Sequence, residues 1–528
     1  MACLLRATTL GATLLRPRVT LIRFSSSLVV HSLAALLGVL HALSFAPWNL
    51  WWLQLLVLAG LFALAENSTR ARGAALLGFI FGIGWFATGI SWVYISMHEY
   101  GQMPAVLAAL ATLAFAAFLA LYPALALGTA HRFVPSSDWR PLVAVPAAWA
   151  ASEWLRGVLL TGFPWLASGY AHSDGPLAGY APVVGVYGMS LLCALIAGAA
   201  VVALRERGTL RLVVAGLAVV ALAGGAALRT VEWTQPIGPP TRVRLAQGNI
   251  PQDQKFTEQG VNRAHETYLG LLKRPGDFEL AAAPESIYPL PFAVLPESIQ
   301  RDLTDFVETR RSSLIFGAFI VEPPGRYYNS AIGLTSATGF QRYSKRHLVP
   351  FGEFIPFGFR WFVDLMQMPI GDQERGARFQ APVTVAGQKI AVNICYEDLF
   401  GAEIIEAWRD PATGRRTDAS RAPTILLNLS NLAWFNNSLA LPQHLQISRL
   451  RALETGRPML RATNTGATAI IDARGRVVAQ LALNTASVLD GAAQAHTGDT
   501  PYVRFGDTPA LSAIGLLLVF CAWLGRRR

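Results

Sequence analysis

The sequence predicts a polytopic α-helical membrane domain, with about eight spans in all, joined to an α/β domain. Three observations carry that prediction. Hydrophobic residues make up 53% of the 528 residues and charged residues only 15%, a balance too apolar for a soluble enzyme. The apolar excess is gathered into long uncharged runs rather than spread along the chain. Between the last two of these runs the composition changes to short β-like stretches that alternate with helical ones, the pattern of an α/β unit.

Taken in order, Leu28–Ala46, Trp48–Ala65, Gly73–Ser96, Val106–Ala130, Tyr180–Leu204, Leu212–Leu228 and Thr508–Gly525 contain no Asp, Glu, Lys or Arg. Each approaches the roughly 20 apolar residues that cross a bilayer. A further candidate begins near Pro141 but is interrupted by Glu153 and Arg156. The connections alternate in charge. Arg16–Arg23, Arg70–Arg72, His131–Arg140, Arg205–Arg211 and Arg526–Arg528 are basic, whereas His98–Gly101 and the loop around Gly162–Gly179 are not. The alternation holds only if the interrupted candidate is counted. By the positive-inside rule both termini then face the cytoplasm and the long polar segment lies outside it. The expected divisions are a basic tail at 1–27, a membrane domain of seven helices at 28–229, an extracytoplasmic domain at 230–507, and a last span with its basic tail at 508–528. The arginine- and serine-rich Met1–Ser27 also suits a transit peptide, but a cytoplasmic tail is the simpler reading. The net charge of +11 is explained by topology and by attraction to anionic lipid, without nucleic acid.

In the polar segment Gln235–Pro240 reads as a linker. Strands are expected over Arg242–Gln247, Leu280–Ala283, Ser313–Ile320, Ser330–Thr335, Lys389–Ile394 and Thr424–Leu429. Helices are expected over Asn262–Lys273, Ser298–Thr309 and Pro442–Thr455. Some neighbouring strands resemble hairpins, so the sheet is expected to be mixed. Three motifs carry possible chemistry: Ala283-Pro284-Glu285-Ser286, where a carboxylate follows a short apolar strand; the loop Tyr343–Pro356, with Lys345, Arg346 and His347; and Asn393-Ile394-Cys395-Tyr396-Glu397-Asp398. Cys395 is the one cysteine of four that lies in the polar segment, and it is either a packed core residue or a nucleophile. Taken alone, Glu285 is better explained by an exposed loop or a helix cap than by a general base. Together the three motifs supply a thiol, a proton acceptor and a cation that could stabilise an oxyanion. The nine histidines form no Cys/His cluster with metal-ligand spacing, and Gly82-Ile83-Gly84 falls inside an apolar run, where helix packing explains it better than a phosphate loop.

In that chain order the motifs resemble the three signatures of the nitrilase (carbon–nitrogen hydrolase) superfamily. Together with the flanking spans, Gly162-Phe163-Pro164-Trp165, Tyr328-Asn329-Ser330, Leu429-Ser430-Asn431, Ala433-Trp434-Phe435 and Arg451–Pro458, the chain resembles the bacterial apolipoprotein N-acyltransferase family over nearly all of its length after Leu28. It departs from that pattern at Ala283, where Trp is common, at Leu432, where an acidic residue is usual, and at Asn436, where Gly is usual.

The resemblance implies an αββα sandwich with a Glu285–Lys345–Cys395 triad: Glu285 the general base, Cys395 the nucleophile, and Lys345 the oxyanion stabiliser, aided by the backbone N–H of Tyr396. Glu353 and Glu397 would support the triad, and Asn329, Trp434, Phe163 and Trp165 would contact substrate. It implies no cofactor. The acyl donor would be a phospholipid, typically phosphatidylethanolamine, attacked at its sn-1 ester. The acceptor would be the α-amino group of an N-terminal diacylglyceryl-cysteine on an apolipoprotein. The enzyme would be a monomer of the bacterial inner membrane with its catalytic domain on the periplasmic side. Two rivals are a membrane-anchored amidase with the same triad, for which seven preceding spans are superfluous, and a transporter, for which ionisable residues are expected inside the spans.

Overall fold

The computed structural model describes residues 27–526, apart from residues 253, 254, 256, 337, 338, 359 and 362–371; most of the basic N-terminal tail and Arg527–Arg528 therefore lie outside the described residues. The uncharged runs, and the interrupted candidate with them, become helices because they offer the backbone no solvent-facing polar alternative. These are α1 (Ser27–Ala42), α2 (Trp51–Glu66), α3 (Ala71–Gly89), α4 (Ala105–Phe133), α5 (Val145–Val158), α6 (Ala181–Arg205), α7 (Thr209–Leu228) and, after the α/β unit, a last helix at Thr508–Arg526. Among the described residues, five stretches are long and apolar enough to cross a membrane: α3, α4, the stretch Pro176–Arg205 that contains α6, α7, and Thr508–Arg526. Helices α1 and α2 are apolar but only 16 residues long. The run expected over Gly73–Ser96 is one helix only to Gly89; a separate short helix, Trp92–Ile95, follows it.

Apolar side chains face outward along these helices, with Leu212, Leu217, Val219 and Val220 on α7 all more than 60% exposed. Such a surface is unstable in water and natural in lipid. Small residues bring the helices together. A Cβ on Gly82 would stand 2.7 Å from the Ala120 backbone of α4, and one on Gly84 would stand 2.3 Å from the Ala35 carbonyl of α1, so the glycine pair serves packing.

The helix ends sort the loops. At one end Glu66 accepts from Arg140 Nε at 2.6 Å and from Arg205 Nη1 at 3.3 Å, which gathers the ends of basic loops into one buried cluster. At the other end the connections around Glu99 and Gly162 meet the α/β unit: Asn436 bonds to both Glu99 and Tyr100, and Tyr396 donates to the Gly162 carbonyl at 2.8 Å.

Among the described residues, the α/β unit has two six-stranded mixed sheets. In chain order the strands are β1 (Gln235–Pro236), β2 (Thr241–Gln247), β3 (Leu280–Ala282), β4 (Ser313–Glu322), β5 (Arg326–Thr335), β6 (Gly339–Ser344), β7 (Val383–Val385), β8 (Gln388–Ile394), β9 (Ile425–Ser430), β10 (Met459–Thr463), β11 (Ala469–Ile471), β12 (Val477–Gln480), β13 (Ser487–Ala493) and β14 (His496–Thr497). One sheet runs β13-β2-β3-β4-β5-β6 and the other β12-β11-β10-β9-β8-β7. β2, β3 and β4 are parallel, as are β8, β9 and β10, and the remaining pairs in both sheets are antiparallel. Alternation along the strands explains the layering. Val243 and Leu245 of β2 point into a core shared with Ile390, Val392, Leu427 and Leu460 of the facing sheet. Ala246 points the other way, under α8 (Glu258–Lys273) and α9 (Glu297–Arg310). On the far side Ala391, Leu426 and Met459 pack with Ala452 of α10 (Ala440–Thr455). The order of layers is helix, sheet, sheet, helix. α10 also joins the helical domain through Ala440, Leu441, Ile447 and Leu450.

Candidate active site

The three chemical motifs meet where strands end. Glu285 follows β3, Lys345 directly follows β6, and Cys395 directly follows β8. In the α/β arrangement strand ends converge on one rim, and it is there that sites form. Cys395 is partly buried at the edge of the inter-sheet core. Its φ is +53°, a left-handed conformation at the turn from strand to 3-10 helix that lifts the side chain out of the strand's alternation, at a cost of about 1–3 kcal/mol in backbone strain.

Lys345 is 1% exposed. Its Nζ lies 2.7 Å from Glu353 Oε1 and 3.2 Å from Glu285 Oε1. Asn329 Nδ2 donates to the same Glu285 oxygen at 2.8 Å, and the Asn431 N–H donates to the other at 3.0 Å. Burial disfavours the Glu285 carboxylate most strongly of any single influence. Lys345, Asn329, Lys255 and the Asn431 N–H together outweigh it and hold its pKa below the usual carboxylate range. Burial likewise opposes the charge on Lys345, but Glu285 and Glu353 raise it well above the ordinary lysine range. Burial and then the Glu285 carboxylate push the Cys395 thiol well up, against the pull of Lys345. The resting groups are therefore a carboxylate, an ammonium and a thiol. Proton transfer from the sulfur to Glu285 is therefore uphill in the resting site.

The supporting carboxylates anchor loops. Glu353 Oε2 accepts from the Val349 N–H at 2.8 Å, folding the Lys345–Glu353 loop back on itself. Glu397 accepts from the N–H groups of Arg346 at 2.7 Å, His347 at 3.1 Å and Ile394 at 2.7 Å, and from the Tyr343 hydroxyl. It thereby ties the lysine loop to the cysteine strand. Gly317 on β4 admits the glutamate loop: its N–H donates to the Pro284 carbonyl at 3.0 Å, and a Cβ there would stand 2.5 Å from Glu285 Cα. Gly317→Ala is expected to push Glu285 out of line and lower turnover by about 10²-fold. Steady-state rates alongside a thermal melt in detergent check this; an unchanged rate would show that the loop tolerates the displacement.

The residues expected to contact substrate are placed differently from one another. Asn329 is directed at Glu285 and Glu353. Phe163 stacks on Tyr396 with ring centres 6.5 Å apart. Trp165 is 3% exposed and lies flat on His444 at 5.7 Å. Trp434 is 37% exposed beside Tyr100. Glu153 and Arg156, which interrupt the fifth apolar stretch, are both buried and hold this region together. Arg156 Nη1 donates to the Phe163 and Trp165 carbonyls, both at 2.6 Å, and Glu153 accepts from the Ser168 N–H at 3.0 Å. Leu432 is 1% exposed in the core shared with the helical domain. Asn436 takes φ +44°, which explains a preference for Gly there; Asn tolerates positive φ and uses its amide to bind Glu99 and Tyr100.

Sequence reasoning passed over several residues at the site. Lys255, 4% exposed, has its pKa lowered by burial to about 8, with Glu285 opposing the shift. Asn428 and His444 both reach the Cys395 carbonyl, at 3.1 and 3.2 Å. Asp398, Ser448 and Arg461 form a buried network behind them. The one sequence signal for the last group was the polar content of otherwise buried segments.

Residues 37–199 match the apolipoprotein N-acyltransferase N-terminal domain, and residues 242–502 match the carbon–nitrogen hydrolase family. An apolipoprotein N-acyltransferase of Ralstonia nicotianae is 50% identical over 501 residues, covering 94% of this chain and 93% of that one. One from Bordetella bronchiseptica is 44% identical, covering 94% of this chain and 97% of its own. One from Nitrosomonas europaea is 43% identical, covering 93% and 97%.

Proposed function

This chain belongs to the apolipoprotein N-acyltransferase family, and we propose on that premise that it N-acylates apolipoproteins in two steps through Cys395. In the first step the Cys395 sulfur attacks the sn-1 ester carbon of a phospholipid such as phosphatidylethanolamine while Glu285 takes the thiol proton. The oxyanion faces Lys345 and the Tyr396 N–H. Its collapse breaks the C–O bond, and the leaving lysophospholipid oxygen takes the proton from Glu285. In the second step the α-amino group of a diacylglyceryl-cysteine attacks the thioester and gives its proton to Glu285. The C–S bond breaks and the sulfur regains the proton, so the course is ping-pong.

The observation that carries this reading is the bond from the Tyr396 hydroxyl to the Gly162 carbonyl. The residue after the thiol is held by a loop of the apolar helical domain, so a carbonyl reaches the sulfur beside that domain, where acyl chains are. A small-amide hydrolase has no use for such a contact. The same contact supports the domain divisions: the helical domain crosses the bacterial inner membrane, the Glu66–Arg140–Arg205 end is cytoplasmic, and the sandwich stands on the periplasmic side.

The test is incubation of purified enzyme with acyl-labelled phosphatidylethanolamine. A hydroxylamine-labile adduct on Cys395, chased by a diacylglyceryl-cysteinyl peptide, is expected. Turnover of small amides with no lipid-derived adduct would overturn the reading.

A further inference from the structure

We infer that His444, together with Asn428, is a positioning residue for the oxyanion: the two side chains hold the Cys395 carbonyl so that the N–H at the other end of the same peptide unit is aimed at the reacting carbonyl oxygen. The inference rests on the reading of Cys395 as the acylated nucleophile.

The geometry begins with one peptide plane. The carbonyl of Cys395 and the N–H of Tyr396 belong to one planar trans unit and point in opposite directions, so a donor that fixes the carbonyl also fixes the N–H. Asn428 Nδ2 and His444 Nε2 lie 3.1 and 3.2 Å from that carbonyl oxygen. The Tyr396 N–H belongs to the first turn of the 3-10 helix Cys395–Leu399, where backbone donors have no partner within the helix. Donors on the carbonyl also polarise the amide and strengthen its N–H as a donor.

The imidazole is fixed in tautomer and in plane. Arg461 Nη2 lies 2.8 Å from His444 Nδ1. A guanidinium only donates, so Nδ1 accepts and the ring hydrogen sits on Nε2, which faces both the Cys395 carbonyl at 3.2 Å and Asp398 Oδ1 at 2.8 Å. Arg461 is held in turn by Asp398 Oδ2 at 3.1 Å and by the Ser448 hydroxyl. Trp165 covers the ring at 5.7 Å with an interplanar angle of 5°. Its own indole N–H donates to Gln443 at 2.7 Å. The ring therefore has no free lone pair with which to take the thiol proton. It is a donor shared between the Cys395 carbonyl and Asp398 Oδ1, which holds it in place beside that carbonyl, and a loop of the helical domain keeps it flat.

The test separates oxyanion chemistry from thiol chemistry. Acylation by an ester passes through an oxyanion, whereas alkylation by iodoacetamide does not, yet both need the Cys395 proton removed. His444→Ala is expected to slow acyl-enzyme formation from labelled phosphatidylethanolamine by roughly 10- to 100-fold, the scale of a weakened oxyanion donor. Cys395 alkylation should stay within about 2-fold of the unsubstituted enzyme, because this step has no oxyanion to lose. His444→Gln, which keeps an N–H donor and an acceptor for Arg461, should recover most of the loss, and Asn428→Ala should reproduce it. A parallel fall in acylation and alkylation, or no fall in acylation in the His444→Gln and Asn428→Ala variants and in His444→Ala alike, overturns the inference. Absence of a Cys395 adduct in the unsubstituted enzyme overturns the acyl-enzyme reading itself and the inference with it, and that outcome is distinct because it precedes any substitution.

Discussion

Cys395→Ser is expected to lower acyl-enzyme formation by roughly 10⁴-fold or more, close to the loss on deleting a nucleophile outright. The change leaves packing almost untouched, because sulfur and oxygen differ little in size and the backbone turn at φ +53° does not depend on the side chain. What changes is acidity. Burial and Glu285 already hold the thiol well above its usual pKa, so even sulfur needs proton removal in step with attack. A hydroxyl starts several units higher, and the Glu285 carboxylate, held below the usual range by Lys345 and its hydrogen bonds, is too weak a base to meet it. The product distinguishes the cases as well as the rate: any adduct formed on a serine is an oxygen ester that resists neutral hydroxylamine, whereas the cysteine adduct is cleaved. Turnover in Cys395→Ser near that of the unsubstituted enzyme would remove Cys395 from the mechanism.

What could be read from the sequence was governed by how far each signal acts along the chain. Uncharged runs are local, so all seven were found, and the main errors lie at ends such as Gly89, where the chain turns to place Trp92 against Phe435 and Trp165. The strands over Leu280–Ala282 and Gln388–Ile394 are apolar enough to be seen, and Glu285 and Cys395 stand out because they follow them. β10 was missed because Arg461 and Thr463 interrupt it, although both are fully buried. A buried arginine is tolerable only with partners, and these come from Asp398 and His444. That network joins residues far apart in the chain, so no spacing rule exposes it. The supports of the Cys395 turn were hidden for the same reason: His444 sits within a helix read as ordinary, and Trp165, which stacks on it, lies 279 positions earlier.

Glu285→Gln is the second substitution with a large expected effect, and its consequences divide by step. Glutamine keeps the size and can still face Asn431, but it takes no proton, so both acyl-enzyme formation and aminolysis should fall by about 10³-fold, within the range of general-base losses. Lys345 retains Glu353 at 2.7 Å, so its charge and the oxyanion site should survive, and the variant should bind lipid as before: kcat falls while KM changes little. The pH profile of the unsubstituted enzyme gives an independent check. Because Glu285 is held below the usual carboxylate range, its basic form persists as pH falls from 8 to 5, and the burst of acyl-enzyme should be nearly flat over that window. Overall turnover should nevertheless drop below pH about 8, where the acceptor's α-amino group becomes protonated and loses its lone pair. An acyl-enzyme burst that declines between pH 7 and 5 in step with turnover would mean that the base titrates in that range. A group less tightly held than Glu285 would then be removing the thiol proton; a decline centred near pH 8 would instead point to Lys255, whose burial lowers its pKa to about 8, and Lys255→Met would check that.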